Sequence, residues 1–271
     1  MALITLLTDF GTRDEYAGVM KGVILSLNPS AVIVDITHHI DPQDIVQAGH
    51  ALRASYRYFP GGTVHVAVVD PGVGGDRAIV AARAGDYRFL APDNGILSLL
   101  DAPEFDTVVR VENSRYFLDS VSQTFHGRDI FAPVAAHMAA GLDMERLGPP
   151  LSPDRLVRLE RRGQFDPVRG EISGTVVSAD RFGNLITDID LRTLADFLAS
   201  CGKSAFEIRV GSQRLRSLSR CYAQVAPQRP LAIAGSRGYL EIAVNCGSAS
   251  RYFGVGKGDT VTVVIVENVE K

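Results

Sequence analysis

VHVAVVDPGVGG, residues 64–75, decides the fold. Its opening run is apolar and β-branched with no polar alternation, the pattern of a strand buried on both faces of a sheet, and it ends on Asp70 before a Gly-rich turn. LITLL at 3–7 and AVIVDI at 31–36 repeat that signature. Helical spacing fills the gaps between them. Residues 14–27 set Ala17, Met20, Val23, Ile24 and Leu27 on one stripe and stop at Asn28-Pro29. The next helix opens with Asp41 as its N-cap, Pro42 at the first helical position and Asp44 three residues after the cap. Ile45, Ala48, Leu52 and Tyr56 then follow at helical spacing. Strand, helix, strand, helix, strand predicts an N-terminal α/β layered domain with a mostly parallel central sheet over residues 1–148. A hairpin around Gly85-Asp86, a strand near 107–111 and a helix near 130–140 complete it.

Residues 149–167 read as a linker, because Pro149, Pro150, Pro153 and Pro167 interrupt regular structure, with Arg155, Arg158, Arg161 and Arg162 between them. Residues 168–271 change to short strands between Gly, Asp and Ser turns: GEISGTVVSAD, NLITDI, FEIRVG, PLAIAGS, YLEIAVN and DTVTVVIVE. That pattern predicts a smaller C-terminal all-β barrel-like domain, with one helical stretch near 191–198.

Composition narrows the function. The 271 residues are 46% apolar and 22% charged, as a globular protein requires, and 28 basic against 31 acidic residues leave a net charge of -3 without a run of five like charges. Nucleic acid is excluded as the main partner. Cys201, Cys221 and Cys246 suit neither a disulfide framework nor a zinc knuckle, and read as reduced thiols of a cytosolic protein. MALITLLTDF lacks a basic n-region, and no stretch approaches the roughly 20 apolar residues of a membrane span. A cytoplasmic protein with no membrane partner is the expectation.

Ligands of open α/β sheets bind outside the carboxyl ends of the strands. Two such ends carry an aspartate, Asp9 after the first strand and Asp70 after the third, while Asp35 lies within its run and ranks lower. The turn at 71–75 offers backbone amides to an anion or small ligand, but it lacks the GxxxxGK[ST] spacing, and no GxGxxG occurs in the chain. TFHGRDIFAP supplies His126, Arg128 and Asp129 ahead of a helix. The adjacent His38 and His39 point apart, and no HExxH or similar spacing occurs, so no metal is assigned. In the β-rich half, DRFGNLITDI joins an aromatic face, Phe182, to the Asn184 carboxamide, which suits a purine edge; SRGYLEIAVN offers Ser236 and the Arg237 guanidinium to a carboxylate.

Six ordered segments together resemble the S-adenosyl-L-methionine (SAM) hydroxide adenosyltransferases, or SAM hydrolases, relatives of the SAM-dependent fluorinase and chlorinase. They are TDFG (8–11), VDPGVGG (69–75) with Arg77, APDNG (91–95), TFHGRDIFAP (124–133), DRFGN (180–184) and SRGYLEIAVN (236–245). The resemblance implies attack of water or hydroxide on C5′ of SAM, giving adenosine and L-methionine, with no cofactor and no metal. It puts the family's Asp, Arg and His triad on Asp70, Arg77 and His126, with either Asp70 or His126 taking the proton. A guanidinium beside Asp70 favours its ionised form. By the same likeness Asp9 accepts from both ribose hydroxyls and Thr124 and Phe125 flank the reacting carbon. Phe182 and Asn184 hold adenine together with the backbone near Cys246, Ser236 and Arg237 take the methionine carboxylate, and Asp180 meets the ammonium group. A homotrimer is implied as well, its active site between the first domain of one subunit and the β-domain of its neighbour.

Two other functions fit some of these residues. A chlorinase-like halogenase needs a halide where Asp70 stands, and like charges in a low-dielectric site repel; the long insertion of fluorinases is also missing at the short Gly85-Asp86 hairpin. A non-catalytic SAM- or adenosine-binding module would leave the triad without a task. Gly235 stands where relatives often carry Asn, and Cys246 where a smaller residue is frequent.

Overall fold

The computed structural model describes residues 3–100, 105–160, 163–166, 169–200 and 205–266. Cys201, Arg161, Arg162 and Pro167 lie outside them. The chain divides into two compact units, Met1–Leu159 and Glu160–Lys271.

In the first unit the apolar runs become β1 (Leu3–Thr8), β2 (Val32–Thr37) and β3 (Val64–Val68), joined by the helices α1 (Tyr16–Leu27) and α2 (Ile45–Ser55). The antiparallel hairpin of β4 (Ile79–Ala84) and β5 (Tyr87–Pro92) turns at Gly85, whose φ of +56 favours glycine. After β6 (Thr107–Arg110) comes α3 (Ala132–Ala139). The sheet order is β2-β1-β3-β5-β4-β6, parallel from β2 through β5 and antiparallel beyond. Successive residues of β3 feed opposite faces. Val64, Val66 and Val68 join Met20, Ile24 and Val134 of α1 and α3, whereas Ala67 and Val69 join Ala48 and Leu52 of α2. Helices on both faces explain why the run shows no polar alternation.

Three local expectations fail here. β2 reads as buried on both faces, yet none of its residues is, and Val32 is 40% exposed. It is the edge strand, so composition identified a strand without fixing its place in the order. The cap of α2 is Asp44, whose carboxylate accepts from the Gln47 amide at 3.0 Å, and not Asp41. Gln43 has a left-handed φ of +66, which breaks the chain direction between Asp41-Pro42 and the helix. Leu27 of the proposed stripe is also exposed, whereas Ala17, Met20 and Ile24 are buried.

The second unit is β-rich: β7 (Gln164–Asp166), β8 (Glu171–Ala179), β9 (Leu185–Asp190), β10 (Ala205–Val210), β11 (Gln213–Leu215), β12 (Leu218–Ser219), β13 (Pro230–Ala234), β14 (Tyr239–Val244) and β15 (Thr260–Val266). Along the order β11-β10-β15-β8-β9-β14-β13-β12, the long β8 pairs with β15 toward its start and β9 toward its end, and β7 pairs with its start off this path. The unit is not purely β. It holds α4 (Leu191–Ser200), which buries Leu194 and Phe197, and a five-residue α5 (Ala249–Phe253) too short to show a period. Ser248 caps α5 at its start and Gly254 closes it in the left-handed conformation. Among the described residues, no helix is long and apolar enough to cross a membrane.

Candidate active site

Because β1 and β3 are parallel neighbours, Asp9 and Asp70 emerge at the same edge, and both line a cleft of about 490 Å3 in the first unit. Thr124, Phe125 and His126 line it too. Arg77 draws its polar groups together. Its Nε donates to Asp70 Oδ1 and Oδ2 at 3.1 and 3.0 Å, and its Nη2 donates to Oδ2 at 2.6 Å. The same Nη2 lies 2.8 Å from His126 Nδ1. Asp70 and Arg77 expose 5% and 13% of their side chains, so this ion pair is shielded from water. A guanidinium has no acceptor, so the contact makes His126 Nδ1 the acceptor and leaves its proton on Nε2. Burial lowers the His126 pKa below its ordinary value; the Arg77 charge adds to that, while Asp70 and Asp129 pull the other way. The imidazole is therefore neutral at neutral pH.

The Gly-rich turn uses part of its amide set within itself. Val73 and Gly75 spend their amides on the Asp70 and Gly72 carbonyls. At Gly74, φ is +77 and a side chain would overlap the Gln123 carbonyl, so this turn and the loop before His126 interlock only through glycine.

Asp129, wholly buried, anchors that loop. It accepts from the Ser122 amide at 2.8 Å, the Ser122 hydroxyl at 2.6 Å and Arg128 Nε at 2.5 Å. Burial by itself raises its pKa, but these bonds outweigh burial and leave it lowered. The Ser122 hydroxyl receives the Phe125 amide, and the Arg128 guanidinium lies 5.2 Å from the Phe125 ring centroid. His126 then opens a π-helical turn, Gly127–Phe131, ahead of α3. Phe125 meets Tyr16 and Phe10 edge-on at 5.0 and 5.9 Å, making one wall of the cleft aromatic. Asp9 is partly engaged, since its Oδ2 accepts from the Gln43 amide at 2.8 Å. Tyr16, Phe10 and Gln43 were not singled out in the sequence; Gln43 had no local signal, because its left-handed backbone is what aims its amide.

In the second unit Asp180, Phe182, Asn184, Ser236, Arg237 and Cys246 all line one cleft of about 930 Å3. Asp180 organises its own turn: Oδ1 accepts from the Phe182 and Asn184 amides at 2.8 and 2.9 Å, and Oδ2 accepts from Asn184 Nδ2 at 3.1 Å. The buried Asn184 keeps its side-chain oxygen and one amide hydrogen for a ligand. Phe182 is 76% exposed, an aromatic face without cover in this unit. Cys246 takes a left-handed φ of +54, and its carbonyl receives Gln228 Nε2 at 2.5 Å. Cys221 and Cys246 are free and exposed.

Sequence reading missed Tyr222 and Glu241 in this cleft. The Tyr222 hydroxyl donates to Glu241 Oε1 at 2.5 Å. Burial raises the Glu241 pKa and the Asp180 charge raises it further, against the Tyr222 bond and Arg237. The Tyr222 pKa is pushed up to about 12 by burial and by Glu241. An acid inside the otherwise apolar, fully buried strand YLEIAV was the available signal.

Comparison with known proteins follows the same two-part division. A family model for the SAM hydroxide adenosyltransferase N-terminal domain matches residues 4–148, and one for the C-terminal domain matches 174–262. The chain is 37% identical to an (R)-S-adenosyl-L-methionine hydrolase of Thermus thermophilus, covering 97% of this chain and 100% of that protein. It is 36% identical to one of Salinispora tropica, over 96% and 97%. A fluorinase of an Actinoplanes species is more distant, at 27% identity over 96% and 97%. Among solved structures, an uncharacterized conserved protein from Thermotoga maritima matches with a TM-score of 0.87 and 36% identity, over 96% of this chain and 99% of that one.

Proposed function

The chain belongs to the SAM hydroxide adenosyltransferase family, and from that premise we propose that it hydrolyses SAM to adenosine and L-methionine through the Asp70, Arg77 and His126 cluster. The observation that carries the mechanism is the double contact of Arg77 Nη2, 2.6 Å from Asp70 and 2.8 Å from His126. It occupies the one nitrogen of His126 that lacks a proton, which leaves His126 an Nε2–H donor and Asp70 the proton acceptor. Water bound between them donates to Asp70 and accepts from His126, which orients a lone pair toward C5′. The new C5′–O bond forms as the C5′–S bond breaks, and the sulfonium leaves as neutral methionine thioether, which needs no acid. The water proton passes to Asp70 and then to solvent.

Asp9 accepts from the ribose hydroxyls with the oxygen capacity that Gln43 leaves free, while Thr124 and Phe125 flank C5′. Phe182 and Asn184 hold adenine beside the Cys246 backbone; Ser236 and Arg237 bind the methionine carboxylate and Asp180 the ammonium group. A buried carboxylate at the attack position favours water over a halide anion. Each unit's cleft carries half of these groups. We place the complete site where the first unit of one copy meets the second unit of its neighbour in a cytoplasmic homotrimer, with domain limits at 1–148 and 168–271 and no cofactor or metal.

The test is adenosine and L-methionine release from SAM by wild type, Asp70→Asn and His126→Ala. Turnover should fall by about 10² or more in both variants with little change in SAM affinity. Wild-type rates in both would refute the assigned roles, and light scattering at a mass other than three chains would refute the trimer.

A further inference from the structure

Glu241 is a buried acid that the mechanism above does not use. It is 6% exposed, sits in the middle of β14 and still reaches the cleft of the second unit. Its cross-strand neighbours, Ile186 on β9 and Ile233 on β13, are apolar and give it no counter-charge. Oε1 is held by the Tyr222 hydroxyl, and Oε2 has no hydrogen-bond donor among the described residues. Gly235 keeps Oε2 clear, because a side chain there would start only 3.0 Å from it. Burying a carboxylate in this way is costly unless a partner arrives.

The charged groups around it indicate that partner. Arg237 makes no hydrogen bond or ion pair among the described residues and lines the same cleft with Ser236. Asp180 is close enough for its charge to act on Glu241, but its oxygens already accept three bonds from its own turn. A free guanidinium next to a carboxylate oxygen with spare capacity matches the two ends of an α-amino acid, carboxylate to the first and ammonium to the second.

We infer that Glu241 is a specificity-determining residue that, alongside Asp180, receives the α-ammonium group of the substrate's methionine end. The inference rests on the hydrolase reading and deepens it: Tyr222 holds one oxygen of Glu241 so that the other is aimed into the cleft. The ammonium then supplies the direct ion pair that the buried acid lacks, since the Arg237 charge acts on it without one. A sulfonium nucleoside without that ammonium gains nothing from Glu241.

The experiment compares SAM with its analogue lacking the α-amino group, using steady-state turnover by wild type, Glu241→Gln and Tyr222→Phe. For Glu241→Gln the KM for SAM should rise about tenfold or more with kcat within about threefold, while KM for the deaminated analogue stays within about twofold. Tyr222→Phe keeps the charge and loosens its aim, so KM for SAM should rise roughly three- to fivefold and the analogue again be spared. That variant decides the matter if Glu241→Gln does not fold. Equal losses on both substrates, or no change on SAM, would overturn the inference. Should wild type release no adenosine, calorimetry separates the two failures. Preference for SAM over the analogue that shrinks about tenfold or more in Glu241→Gln keeps this inference and rejects hydrolysis, and an undiminished preference in that variant rejects the inference.

Discussion

The two units treat their polar groups in opposite ways. In the first, Asp70, Arg77 and His126 satisfy one another within 3.1 Å before any substrate is present, and Asp129 locks the loop that carries His126. In the second, Phe182 and Arg237 stand exposed, and Glu241 keeps an oxygen in reserve. The contrast separates two demands. Groups that act on a bond in the transition state must be oriented beforehand, because reorganisation at that moment costs rate. Groups that recognise a substrate gain most when the substrate is the partner they lack.

Mutations should therefore divide along the same line, and the largest effect tests it most severely. Asp70→Asn keeps the shape and removes the proton acceptor, so kcat should drop by about 10² to 10⁴ with KM nearly unchanged; a loss confined to KM would erase the distinction between the units. Arg237→Ala should do the reverse, raising KM for SAM about tenfold or more, because a charge-assisted pair with the carboxylate is lost, with kcat largely kept. The pH profile sharpens the first half. Protonated His126 cannot accept from Arg77, and its pKa is lowered, so kcat/KM should stay level as pH falls through 6.5 and decline only below it. A decline centred above 6.5 would mean that Asp70 and Asp129 outweigh burial and Arg77 at His126. The smallest effect lies outside both clefts: Asp44→Ala removes the α2 cap and should cost about 1 kcal/mol in urea unfolding, with turnover unchanged.

Sequence reading reached the parts that local chemistry encodes. The runs of β1 and β3, without polar alternation, are buried between helix layers, and Asp9 and Asp70 follow these parallel neighbours into one cleft. It did not reach what depends on neighbours in space. The edge position of β2 follows from sheet order, which its own six residues do not specify. The hydrogen-bonding role of His126 follows from a guanidinium 49 positions away in the chain. Asp41 and Asp44 are equivalent caps by composition, and only the left-handed Gln43 selects the second. Glu241 and Tyr222 lie 19 residues apart without a recognisable spacing, so their pairing emerges only when β14 is set beside the turn that carries Tyr222.

Turnover of SAM in water enriched in heavy oxygen tests the central claim most directly, with both products examined by mass spectrometry. Attack of water on C5′ predicts one heavy oxygen in the 5′-hydroxyl of adenosine and none in L-methionine. Adenosine without the label, or 5′-chloro-5′-deoxyadenosine when chloride is present, would contradict it.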